Sequence, residues 1–112
     1  MIEISFDDFL NVDIRVGEVT HAEPFTEAQK PAIKLWIEFG PEIGKKKSSA
    51  QIIKHYNPEE LIGKQVMAVV NFPPLQIGKF FSEVLVLGLS DSAGGIILIG
   101  PDKRVVNGER MH

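Results

Sequence analysis

Apolar and polar residues alternate most cleanly from Ala32 to Phe39, with Ile33, Leu35, Ile37 and Phe39 on one face and Lys34, Trp36 and Glu38 on the other. That period of two predicts a strand buried on one side only. Val12 to Val19 alternates in the same way, setting Val12, Ile14 and Val16 against Asp13, Arg15 and Gly17. Val66 to Val70 and Val84 to Leu89 are unbroken apolar runs, short and β-branched, which predicts strands covered on both faces. Ile96 to Ile99 predicts a last buried strand, and Lys45 to Ile53 an unusually polar one.

Two short helices carry their own start signals. Ser5-Phe6-Asp7-Asp8 places a carboxylate three residues after a hydroxyl, a capping box, with Phe6, Phe9 and Leu10 at helical spacing. So short a helix cannot bury two phenylalanines against itself, so they must pack on the domain or on a second copy. Asn57-Pro58-Glu59-Glu60-Leu61 supplies a cap, a proline at the first helical position and carboxylates in the first turn, with Gly63 as the stop. Thr20 to Pro31 reads as a loop, Gly40 to Gly44 and Ser90 to Gly95 as turns, and Pro101 to His112 as an irregular tail with a turn at Asn107-Gly108. Three strands, a short helix, a strand, a loop and a strand is the order of a five-stranded OB-fold barrel, mostly β, with short helices and terminal extensions.

The stretch from Asn71 to Phe81 stands apart. Pro73 and Pro74 cannot donate to a β-ladder, which argues against a tight hairpin and for a stiff, projecting loop. Phe72, Leu75, Ile77, Phe80 and Phe81 place large apolar groups there, with Gly78 the one flexible point, so the loop either buries them or offers them to a partner. Trp36, on the outward face of its strand, is either covered by a neighbour or a stacking platform.

With 112 residues the chain is expected to form one domain, residues 1–112, burying about two thirds of its unfolded surface. The absence of cysteine excludes disulfides and thiolate metal sites, and a first stretch without a basic and apolar leader pattern leads us to expect a cytoplasmic protein with no membrane insertion. Net charge is −3, against a generic nucleic-acid binder, yet residues 30–79 hold eight lysines against four acids while residues 1–29 hold seven acids against one base. The Lys45-Lys46-Lys47 run therefore reads either as a phosphate-contacting rim or as a solvated strand edge. His21, His55 and His112 have no metal-ligand spacing, the paired carboxylates are explained by helix starts, and Ser48-Ser49 has no base nearby in sequence. No catalytic residue, metal or cofactor is predicted. The expectation is a binding protein.

Asp13-Ile14-Arg15-Val16-Gly17, Lys34-Leu35 leading to Phe39-Gly40, Tyr56 to Lys64, and Val70-Asn71-Phe72-Pro73-Pro74 with Ser82-Glu83 together resemble the tRNA-binding OB domain. That domain occurs as a free dimeric tRNA-binding protein and appended to methionyl- and phenylalanyl-tRNA synthetases. Pro31 to Leu35, Ser48 to Ile52, Val69 to Pro74 and Ser82 to Gly88 are similar to its CsaA branch of small export-related chaperones. The resemblance covers nearly the whole chain.

It implies a homodimer built from the terminal segments, which gives a place to Phe6, Phe9, Val105, Val106 and Met111. It also implies a chaperone that holds unfolded or exported precursor polypeptides, with the export machinery as a further partner, on a surface of Trp36, Phe72, Leu75, Ile77, Phe80 and Phe81. The alternative it carries is tRNA binding through Lys45, Lys46, Lys47, Asn71, Lys79, Ser82 and Glu83. Where RNA-binding members carry a lysine and then Ser-Glu-Gly-Met, this chain has Gln76 and Ser82-Glu83-Val84-Leu85. Both changes remove features suited to RNA and favour an apolar peptide surface.

Overall fold

The computed structural model describes all 112 residues. A five-stranded sheet in the order β3-β2-β1-β4-β7 curls into a barrel, built from β1 (Ile14–Phe25), β2 (Ala32–Glu38), β3 (Lys45–Ala50), β4 (Gln65–Val69) and β7 (Leu85–Val86). All four neighbouring pairs are antiparallel. Between β4 and β7 stands a hairpin of β5 (Leu75–Ile77) and β6 (Phe80–Ser82), and a second hairpin joins β8 (Gly88–Ser90) to β9 (Ile96–Leu98). The helices are α1 (Phe6–Leu10), α2 (Gly40–Ile43) and α3 (Pro58–Leu61).

The inward set of β2 forms the core as its alternation requires: Ile33, Leu35, Ile37 and Phe39 are buried with Val19, Val66, Ala68 and Leu61. The third helix lies between the third and fourth strands, as the OB order demands, and drives Leu61 into the barrel. Its Asn57 accepts from the Glu60 N–H while Glu60 accepts from the Asn57 N–H, and Ser5 and Asp8 make the same reciprocal box on α1.

Four sequence expectations are corrected. Residues 20–25 continue β1 rather than opening a loop. Thr20 is an extra residue between Val19, opposite Ile37, and His21, opposite Trp36, and the bulge lets one strand bend to serve β4 with its first half and β2 with its second. Past Glu18 the strand has lost β4, so Pro24 breaks no ladder. Secondly, residues 75–82 are a hairpin and not an irregular loop, because the prolines stop at 74 and Gly78, at φ 63°, makes a two-residue turn. The third concerns Val84 to Leu89, which is not one buried strand: Val84 is 4% exposed but Leu85 is 50% and Leu89 64% exposed. The run splits because Leu87 bonds Met67 and Ile99 instead of continuing a single ladder. Finally, Ile97 faces outward on β9, which pairs with β8 alone.

The tail is irregular, with the expected turn at Asn107-Gly108. Its backbone bonds the first half of β1, Glu109 accepting from the Val16 N–H and Met111 donating to the Ile14 carbonyl. No helix is long and apolar enough to cross a membrane.

Candidate peptide and nucleic-acid interface

The β5-β6 hairpin creates two surfaces from one face. Leu75, Ile77, Phe80 and Ser82 share that face, because Leu75 lies opposite Ser82 and Ile77 opposite Phe80, whereas Gln76 and Phe81 point the other way. At the tip, Phe80 turns down onto the outer side of the β-sheet. Its ring lies 5.3 Å from Phe25 and 6.1 Å from Trp36, both tilted edge to face, and His21 stacks 4.9 Å beyond Trp36.

Two lysines complete that strip. Lys34 Nζ sits 4.7 Å from the Phe25 ring and 5.3 Å from Phe80, and Lys47 Nζ sits 5.3 Å from Phe80 on the next strand. Strand pairing puts Lys34 opposite Ser49, Trp36 opposite Lys47 and Glu38 opposite Lys45, so these six share the outward side. Glu27 receives hydrogen bonds from Thr26 at 2.8 Å and Lys34 at 3.3 Å, which in that order hold its carboxyl below the usual range. Lys79 stands beside this cluster at the turn.

At the hairpin base the same face opens into a groove of about 300 Å³, lined by Phe72, Pro73, Pro74 and Leu75 on one side and Ser82 to Leu85 on the other. Phe72 is 54% and Leu75 65% exposed. The volume is at the lower end of the range of about 300–1,000 Å³ for ligand sites, which suits a few side chains of an extended chain.

Of the predicted peptide-contacting residues, Phe72 and Leu75 line this groove, Phe81 is exposed on the opposite side, Ile77 and Trp36 are half-buried, and Phe80 is buried. Phe80 is therefore an anchor rather than an open contact: its ring gains more from Phe25 and Trp36 than from water. Of the predicted RNA-contacting residues, three are already engaged within the chain. Asn71 Oδ1 accepts the Asp13 N–H and Nδ2 donates to the Asn11 carbonyl, which ties the end of β4 to the start of β1. Ser82 Oγ accepts the Ser49 N–H, and Glu83 Oε1 accepts the Lys47 N–H, so both close the barrel against β3. Lys45 and Lys47 share the outward side with the aromatic strip, whereas Lys46 lies opposite Ile37 on the other side of the strand.

Phe25, His21 and Lys34 were not among the contact residues expected from the sequence. The alternation of β2 that turned Trp36 outward already placed Lys34 beside it, whereas nothing in the order of residues brings Phe25 under Phe80. The structure also gives His55 an acidic partner, Asp91. That pair joins two exposed loops, and the second carboxylate oxygen of Asp91 is occupied by the Ala93 and Gly95 amides, so it makes a turn clasp.

Residues 14–110 match the family described as "Putative tRNA binding domain". Among solved structures, the chain is similar to the chaperone CsaA from Bacillus anthracis, 54% identical with a TM-score of 0.92 over 99% of this chain and 100% of that one. It is also similar to the CsaA chaperone protein from Picrophilus torridus, 49% identical with a TM-score of 0.91 over 98% and 100%. Among curated relatives, a methionine–tRNA ligase of Porphyromonas gingivalis is 38% identical over 97% of this chain, which spans only 16% of that ligase.

Proposed function

This chain belongs to the tRNA-binding domain family, and from that premise we propose that it is a non-catalytic chaperone of the CsaA kind. In this reading it holds extended apolar segments of unfolded or exported precursor polypeptides in the groove at the base of the β5-β6 hairpin. One observation carries it: Phe72, Leu75 and Leu85 stay open to solvent around that groove while the polar side chains of Asn71, Ser82 and part of Glu83 are spent inside the molecule. An apolar surface with few free donors recognises greasy, extended chain by area and shape.

A second reading, tRNA binding, is favoured by the tip. Lys34 and Lys47 lie over the Phe25 and Phe80 rings, with Lys79 close by, on the sheet face and loops that OB folds use for nucleic acid. The two readings use neighbouring but different surfaces. Binding of a labelled unfolded precursor and of labelled tRNA, each at 50 and 300 mM salt, tests both. Affinity for tRNA should fall steeply with salt and affinity for the precursor little. Binding of neither would remove both.

The exposed Ile4, Phe6, Leu10, Val105 and Val106 support a homodimer seam. Light scattering should give twice the 12.4 kDa chain mass, and Phe6→Asp should return the monomer.

A further inference from the structure

Glu83 is the one ionisable group among the eight residues that line the groove at the hairpin base. Its position is fixed twice. The backbone N–H donates to the Lys47 carbonyl at 2.8 Å, and side-chain Oε1 accepts the Lys47 N–H at 2.9 Å. Oε2 has no hydrogen-bond partner, and no lysine, arginine or histidine nitrogen lies within 4 Å of this carboxylate. The nearest strand's cation is drawn elsewhere, since the Lys47 ammonium sits over the Phe80 ring on the tip side of the hairpin. The groove is thus an apolar trough with a single uncompensated negative charge in its wall.

That charge makes a purely apolar occupant costly. A peptide lying against Phe72 and Leu75 strips water from Glu83 without replacing it. A lysine or arginine in the peptide removes the penalty, because its methylene stem lies along the apolar wall and its head reaches Oε2. A glutamate there adds repulsion. We propose that the groove selects extended segments in which a basic residue is flanked by apolar ones, with Glu83 as the selecting residue. This deepens the chaperone reading and rests on it. The net charge of −3 attracts the same partners.

The test uses three labelled ten-residue peptides, identical except for a central lysine, norleucine or glutamate, titrated by fluorescence anisotropy into the full chain and its Glu83→Gln variant. Glutamine keeps an oxygen for the Lys47 N–H, and the variant's thermal unfolding is recorded alongside. The wild type should bind lysine over norleucine by roughly two- to fivefold, with glutamate weakest, and the variant should bind lysine and norleucine alike. No lysine preference in the wild type overturns the proposal, whatever the variant's stability, and so does an unchanged preference in a folded variant. If none of the peptides binds, or if Leu75→Gln leaves all three affinities unmoved, the groove itself is not the peptide site and the chaperone reading fails with it.

Discussion

Glu83 grips one residue, Lys47, from both sides: its backbone N–H donates to the Lys47 carbonyl at 2.8 Å while its carboxylate accepts the Lys47 N–H at 2.9 Å. Ser82 adds a single side-chain bond to Ser49, its Oγ accepting the amide at 3.1 Å, and buried Ser48 donates to the Val84 carbonyl at 3.0 Å. The seam between β3 and residues 82–84 is therefore closed partly by side chains. Ser82→Ala or Glu83→Ala leaves a partly buried amide unpaired, at about 1 kcal/mol each. Thermal unfolding should shift down by about 4–8 °C for each. Unchanged melting with lost tRNA binding would instead make these residues RNA contacts.

Asn71 is a second latch, just past the C-terminal end of β4. Its amide uses both ends, Oδ1 from Asp13 at 3.1 Å and Nδ2 to Asn11 at 2.8 Å. Asn71→Asp keeps the acceptor, removes the donor and sets a charge against the Asn11 carbonyl. A loss of about 1–2 kcal/mol is expected, with faster amide exchange across residues 5–13; exchange unaltered there would show the latch to be unimportant.

Phe80 and Phe81 are neighbours with opposite fates. Phe80→Ala empties the site beside Phe25 and Trp36, and because this buried cluster holds only Phe25, Ala32 and Phe80, the cost should fall near the lower end of the 3–5 kcal/mol or so typical of buried phenylalanine. Amides 75–82 should lose protection while those of β1, β2 and β4 keep it. Phe81→Ala should move stability by less than about 0.5 kcal/mol. Equal losses for the two would contradict the hairpin's orientation.

Asp91 gives the 90–95 turn an acid sensitivity. Hydrogen bonds from His55 first, then from the Gly95 and Ala93 amides, hold its carboxyl below the ordinary range. Its folded value being lower than its unfolded one, the stability it brings is present above about pH 4 and is lost as pH falls through the folded value. Amide shifts of Ala93 and Gly95 followed from pH 6 to pH 2 should show the transition, and Asp91→Asn should abolish it. A transition that persists in the variant would assign it to another carboxylate.

Local signals were legible wherever a residue's role depends on near neighbours. The caps at Ser5 and Asn57, the inward set of β2, the turn at Asn107-Gly108 and the outward placement of Trp36 follow from spacing alone, because helix and strand periods fix which side chains share a face. The chain order of strands and helix was enough for the barrel. The apolar groove was half legible, since Phe72 and Leu75 sit beside prolines that prevent the chain from folding over them.

What the sequence by itself determined is this list of elements and faces, together with an apolar, proline-stiffened segment set between two strands. Only the tertiary structure decided which of those side chains remain free. Phe25 reaches Phe80 across 55 positions and Lys47 reaches Glu83 across 36, and one bulge at Thr20 sets how β1 divides its partners. A polar or aromatic group is available to a partner only if no distant part of its own chain has claimed it first, and such claims arise when the barrel closes, by contacts that no local period encodes.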